Sequence, residues 1–352
     1  MKLKKFFAGV LAAAMMLTVG ATAAFATGTT TPVANDGNGT FTITKKYSAE
    51  NANTFAPAET FKLKQTDKSG KQMSVSYDGN VPDLKTVAGE SDGIVGVVSF
   101  TTESSAEQTG VFTIGLPQYN GVGVFTYTLE EVSATNAGIQ NDGRTFTVTV
   151  YATQGNDGIE TGVTVHEGTS KGTKVISINN KFQAGALTIH KDVKGSMGDE
   201  AYEFPFTVTL SSAKPVTATL RVNGETSTVK FEKAEDATEY TATLPFKLSN
   251  GKEYTIGNIP YDVTYTVSED GETNGTLTVG SDVNAVKYDV EYSNNGAKVE
   301  GATATVTVTN TAGDVVIDTG VILDNAPYIA LLAIVAIGGV ALMLNKRRRD
   351  EE

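Results

Sequence analysis

The sequence predicts an all-β chain built as two tandem β-sandwich domains. Three observations carry this. Apolar and polar residues alternate with period two over many short runs, and clusters of Gly, Asn, Asp and Ser separate those runs. No stretch of the middle holds a helical period over 11 residues or more, and β-branched and aromatic residues are frequent throughout. After Gln183, Ala184, Gly185 and Ala186 the pattern restarts, with Leu187, Ile189 and Lys191 repeating the alternation of Phe41, Ile43 and Lys45.

The elements follow in order. Residues 27–38 are rich in Thr, Gly, Pro and Asn and read as a loose leader. From Thr40, one face carries Phe41, Ile43 and Lys45 and the other Thr40, Thr42 and Thr44. Further strands are expected at 61–65, 73–77, 95–100, 111–114, 122–131, 145–151, 163–166 and 175–180, with turns at 67–70, 141–143 and 155–158. The second set is expected at 204–210, 216–222, 226–231, 240–248, 263–269, 286–291 and 303–310. The domains are placed at 39–182 and 184–312, each large enough for its own core, and the short connection implies a stiff rod.

Both ends read as processing signals. Lys2, Lys4 and Lys5 precede the apolar run 6–17, and Ala24 and Ala26 flank Phe25, so residues 1–26 fit a secretory signal peptide. Residues 326–344 are uncharged and long enough to span a membrane as a helix. Residues 345–352 follow, with Lys346, Arg347, Arg348 and Arg349 holding that end in the cytoplasm. A plain membrane anchor explains the helix and the basic stop but not the residues 316–320 just outside. Val316, Ile317, Asp318, Thr319 and Gly320, with the tail behind them, resemble the sorting signal of Gram-positive cell-wall proteins, Val316-Ile317 standing where that family has Leu-Pro. The resemblance implies that a sortase cuts between Thr319 and Gly320 and passes the threonine carbonyl to an amine.

Composition narrows the function classes. The chain has no Cys, so an exported protein of this sequence has no disulfides, no thiol nucleophile and no Cys metal site. The net charge of −12, with seven of the 28 basic residues in the two ends, argues against nucleic acid as a partner. The loops at 155–158 and 270–275 lack the spacing of a calcium loop and read as turns; no metal or cofactor is expected. His166 and His190 have no matched nucleophile or carboxylate at a readable spacing, so each is expected on a strand surface. No catalytic triad or carboxylate pair stands out, and no enzyme with turnover is expected.

One constellation repeats. The first strand of each half closes its apolar alternation in a lysine, Lys45 and Lys191. A middle strand ends in a glutamate: Phe125, Tyr127, Leu129 lead to Glu131, and Val263, Tyr265, Val267 to Glu269. The last strand ends in an asparagine: Ile176, Ile178 lead to Asn180, and Val306, Val308 to Asn310. By strand parity all six point inward with the core residues before them. Two readings stand. Each residue sits at a strand end and bends out to water, or each triplet forms a Lys–Asn isopeptide bond promoted by its glutamate.

The order Lys, Glu, Asn, the tandem layout and the tail around 326–330 together resemble a streptococcal T-antigen-type major pilin, the sortase-assembled backbone pilin of Gram-positive bacteria. The resemblance implies tandem immunoglobulin-like (CnaB-like) domains, each closed by a self-formed bond: Lys45 to Asn180 with Glu131, and Lys191 to Asn310 with Glu269. It also implies a wall-anchored pilus in which the C-terminal threonine of one subunit joins a lysine of the next. Lys174 fits the acceptor position best and Lys171 is the runner-up. The expected partners are sortase, other copies of this chain, peptidoglycan and, as an open possibility, a host surface ligand. A monomeric sortase-anchored adhesin remains the rival reading.

Overall fold

A computed structural model describes residues 33–34, 39–72, 81–156, 158–175, 177–227, 229–281 and 285–313. The described residues contain strands and no helix. The first half holds β1 (Val33–Ala34), β2 (Thr40–Ala49), β3 (Glu59–Gln72), β4 (Ile94–Phe100), β5 (Gln108–Gly115), β6 (Gly123–Glu131), β7 (Ile139–Gln140), β8 (Thr145–Gln154), β9 (Ile159–Glu167) and β10 (Ser177–Phe182). The second holds β11 (Ala184–Lys194), β12 (Phe204–Ser212), β13 (Leu220–Val222), β14 (Glu225–Ser227), β15 (Tyr240–Leu248), β16 (Glu253–Pro260), β17 (Thr264–Glu269), β18 (Thr276–Val279), β19 (Val286–Tyr292) and β20 (Thr303–Ala312).

Each half is two sheets face to face. In the first, a sheet of order β5-β2-β10-β7 opposes one of order β1-β9-β8-β6-β3-β4. In the second, β15-β12-β17 opposes β14-β13-β16-β11-β20-β19-β18. The first long strand and the last strand of each half, β2 with β10 and β11 with β20, are neighbours and run parallel. The period-two pattern dictates what fills the space between the sheets. Phe41, Ile43 and Tyr47 of β2 meet Phe61, Phe125, Tyr127 and Phe146 from the opposing sheet in one core. Leu187 and Ile189 of β11 meet Phe204, Phe206, Tyr265 and Tyr288 in the other.

The two halves are joined tightly. Only Gln183 separates β10 from β11. Its backbone N–H donates to Gly138 O at 2.7 Å, and Tyr261 N donates to Gln183 O at 3.1 Å. Gly138 has φ 76°, and a Cβ there would lie 2.7 Å from Gln183 O and 2.8 Å from Pro260 Cβ, so the close approach requires glycine. Asn258, buried and with φ 61°, accepts from Phe55 N at 2.8 Å and donates to Phe55 O at 3.2 Å. The Arg221 guanidinium lies 3.8 Å from the centroid of the Phe55 ring. Asn51 Nδ2 donates to Ala184 O at 2.7 Å and to Tyr261 Oη at 2.6 Å. A chain joined this way has its orientation fixed by side chains on both sides of the joint rather than by linker length.

Several expected elements differ. Residues 67–70 are not a turn: β3 runs through them and pairs Asp67 to Gly70 with Thr128 to Phe125 of β6, after a bulge between Gln65 and Asp67. A Cβ at Gly70 would meet Phe125 Cδ1 at 2.8 Å, so the glycine marks a close approach within a strand. The leader is paired in part, Val33 and Ala34 facing Thr161 and Glu160 of β9. The strand expected at 216–222 is confined to Leu220–Val222. Three strands, β7, β16 and β18, were not expected. The strand expected at 73–77 lies outside the described residues, as do residues 1–26, Thr319, Gly320 and residues 326–352.

Candidate functional site

The inward parity of three strands brings Lys45, Glu131 and Asn180 to one point between the sheets of the first half. Lys45 and Asn180 come from the adjacent strands β2 and β10, and Glu131 from β6 across the core. Lys45 Nζ donates to Glu131 Oε1 at 2.6 Å and to Asn180 Oδ1 at 2.5 Å. The side chains of Lys45 and Glu131 are wholly buried, and Asn180 is 1% exposed. The Phe61 ring closes one wall, its centroid 4.3 Å from Nζ. Burial pushes the Lys45 ammonium down to about 8, against the pull of the Glu131 carboxylate, so the neutral amine is accessible near neutral pH.

The loop after β7 closes the first cluster. The Asp142 backbone N–H donates to Asn180 Oδ1 at 3.0 Å and to Glu131 Oε2 at 3.3 Å. Asn141 Nδ2 donates to Glu131 Oε2 at 3.3 Å. Nδ2 of Asn180 is buried and has no hydrogen-bond partner.

Lys191, Glu269 and Asn310 meet in the same way in the second half. Lys191 and Asn310 come from the adjacent strands β11 and β20, and Glu269 from β17 of the opposing sheet. Lys191 Nζ lies 3.4 Å from Glu269 Oε1, and Asn310 Nδ2 donates to the same Oε1 at 2.7 Å. Lys191 and Asn310 are fully buried and Glu269 is 2% exposed. The Phe204 and Phe206 ring centroids stand 4.5 and 5.5 Å from Nζ. Burial again lowers the lysine to about 8 and raises the Glu269 carboxyl, which favours the uncharged forms of both. Here Asn310 Oδ1 is buried without a partner.

All six strand-end residues therefore turn inward rather than out to water. Each cluster sets an amine of depressed basicity beside a carboxamide and a carboxyl group in a dry pocket, a nucleophile and an electrophile with a proton carrier between them.

Lys171 and Lys174 lie between β9 and β10 and both are exposed. Lys174 forms an isolated antiparallel bridge with His166. His190 is a strand-surface residue, but carboxylates do flank it: Nε2 is 2.9 Å from Asp192 Oδ1 and Nδ1 is 3.5 Å from Glu253 Oε1. Among the described residues no group of three or more His, Cys, Asp and Glu could hold a metal. Sequence reasoning took 141–143 as a turn and missed its main-chain role at the first cluster. No side-chain pattern signals a backbone donor.

Residues 34–183 match the family described as the Spy0128-like isopeptide containing domain. Residues 185–312 match a domain of unknown function, DUF7601, so the matched boundary falls at the same joint where the isopeptide-containing domain ends. Across the whole chain the similarity extends to a curated pilin of Streptococcus pyogenes serotype M1, 29% identical over 317 residues and covering 87% of this chain and 90% of that one. Solved structures similar to it include the major pilin T-13 from S. pyogenes serotype GAS131465, at 21% identity over 78% of this chain and 99% of that one, with a TM-score of 0.47. A second S. pyogenes major pilin matches at 20% identity over 79% and 99%, with a TM-score of 0.45.

Proposed function

We propose that this chain is the structural subunit of a cell-surface pilus, closed internally by two Lys–Asn isopeptide bonds and joined to its neighbours by sortase. The observation that carries the reading is the twice-built buried cluster of Lys, Glu and Asn on matched strands. In the first half, Oδ1 of Asn180 is 2.5 Å from Nζ. A carbonyl bond is about 1.2 Å long, so the amine lies within about 3.7 Å of the carbon it attacks. The neutral amine adds to the Asn carboxamide carbon, the Nζ–C bond forms, the C–Nδ2 bond breaks, and ammonia leaves. The proton shed by the lysine nitrogen reaches the departing nitrogen through the glutamate. The dry pocket excludes competing water. Each reaction occurs once per molecule, so the glutamates promote a bond without turnover.

The strand directions support assembly head to tail. β2 and β10 run toward the joint between the halves, and β11 and β20 run away from it. Lys174, just before β10, thus lies at one end of the molecule, and the chain leaves β20 toward Thr319 at the other. Sortase would cut after Thr319 and join its carbonyl to Lys174 of the next subunit, with Lys171 as the second choice. The final acceptor would be peptidoglycan, and residues 1–26 and 326–344 would serve export and transient membrane retention. The two domains are 39–182 and 184–312.

A denaturing gel of the cell-wall fraction tests this reading. A ladder that Lys174→Ala collapses to monomer, with both halves still resistant to protease, is the expected result. A ladder lost only in Lys171→Ala moves the acceptor. A single band in the unaltered chain indicates the monomeric anchored adhesin instead.

A further inference from the structure

The two clusters differ in how the carboxamide oxygen is held. In the second half Asn310 Oδ1 is buried without a partner, and Glu269 is the group in contact with that carboxamide. In the first half Asn180 Oδ1 receives the main-chain N–H of Asp142 at 3.0 Å. Attack by Lys45 on the Asn180 carboxamide carbon moves a lone pair onto that oxygen. A fixed N–H at this distance, inside a pocket closed to water, stabilises the charge as it develops.

Besides its bonds to Glu131, the loop is held by contacts outside the reacting groups. Asp142 Oδ1 and Oδ2 accept from Arg144 Nε at 2.8 Å and Nη2 at 2.5 Å, and Oδ2 also accepts from Asn179 N at 2.9 Å. Arg144 Nη2 donates to Ser177 O at 2.8 Å, tying the loop to β10 beside the reacting asparagine. On the other side Asn141 Oδ1 accepts from Ala134 N at 3.1 Å, and Nδ2 donates to Val132 O at 3.1 Å, just past β6. The donor is therefore braced against both strands that carry its partners.

We propose that the Asp142 backbone N–H is an oxyanion donor for the first cross-link, with Arg144 as the residue that positions it, and that the second cross-link forms without such a donor. This rests on the reading of Lys45 and Asn180 as a reacting pair. It divides the labour differently in the two halves. Glu131 takes the proton from the amine while the loop polarises the amide; Glu269 contacts amine and amide alike.

The test follows ammonia loss in the full chain after a pulse of cell-free synthesis, with acid quenching and peptide mapping to separate the halves. The unaltered Asp142 chain keeps the N–H and its brace. The same position carrying malic acid, the ester counterpart of aspartate, removes only the N–H. The ester chain is expected to close its first bond on the order of 100-fold more slowly than the unaltered chain, while the second bond closes at an unchanged rate in both. Equal rates in the ester and unaltered chains would overturn the proposal. Should the ester chain lose protease resistance, Arg144→Ala gives a second reading: about tenfold slower closure of the first bond only, partly restored in Arg144→Lys. An unchanged first rate in Arg144→Ala would also overturn it. If the unaltered chain loses no ammonia from its first half, the reacting-pair reading itself has failed, a distinct result.

Discussion

Asn180 lies two residues beyond Ile178, the residue that faces Lys45 across the parallel pairing of β10 with β2. Asn310 stands in the same relation to Lys191, two residues beyond Val308. An offset of two keeps both side chains on one face of the sheet, and it spans about 6.6 Å along the strand, which the lysine stem covers by leaning forward. The glutamate then needs only to face this pair from the opposing sheet, as Glu131 and Glu269 do. A register shift of one residue would turn the asparagine to the other face.

A cross-link between first and last strand removes freedom from the unfolded chain. The loop closed by Lys45 and Asn180 spans 135 residues. By chain-entropy arithmetic each bond is worth about 5 kcal/mol. Asn180→Ala and Asn310→Ala are each expected to lower the melting temperature of their own half and to speed its cleavage by trypsin. Calorimetry with mapped proteolysis checks this. Unchanged melting and cleavage in both variants would contradict it.

Tension through a polymer would not load the two bonds alike. If it enters at Lys174, it passes along β10, crosses Gln183 into β11, and reaches Lys191, so the second bond lies in its path. The first bond joins β2 to β10 from the side. Lys191 and Asn310 are 119 positions apart (310 − 191), about 400 Å of extended chain. The chain lacks Cys, so Lys174→Cys with a cysteine placed after residue 313 gives two unique handles for single-molecule pulling. Asn310→Ala is expected to release that length as one step, and Asn180→Ala to release none of the 135-residue loop. Release of that loop in the Asn180→Ala chain would contradict this load path.

Bond formation should depend on pH through the lysines. Only the neutral amine attacks, and burial lowers Lys45 and Lys191 from 10.5 to about 8. The rate of ammonia loss is expected to rise about tenfold per pH unit below 8 and to level off above it. In the second half burial also raises the Glu269 carboxyl, so its protonated form persists to higher pH than in a free carboxyl. In the unlinked Asn310→Ala chain, the unfolded state binds a proton that the folded lysine has shed between about 8 and 10.5. Stability of that half therefore rises with pH across this window. Pulse experiments and denaturant titrations at stepped pH read both effects.

Period-two alternation made the central strands and all six cluster residues legible. Phe41, Ile43, Lys45 and Tyr47 are buried in succession on β2, and Val306, Val308 and Asn310 on β20, as parity requires. What could not be read from the sequence lay where backbone geometry overrides residue type. β16 contains Gly257, Asn258 and Pro260, which look like strand breakers. Asn258 adopts a left-handed conformation there because its amide is bonded to Phe55 across the joint. Residues 67–70 resemble a turn, yet Gly70 sits beneath Phe125 in a continuous strand. The donor of Asp142 is a main-chain group and has no residue signature at all.

The intact mass of the mature chain tests the cross-links most directly. The account predicts a mass lower than the sequence mass by two ammonia molecules, with peptide maps joining Lys45 to Asn180 and Lys191 to Asn310. Glu131→Ala and Glu269→Ala should each regain one ammonia, from their own half alone. A mature chain with unmodified mass would contradict the account.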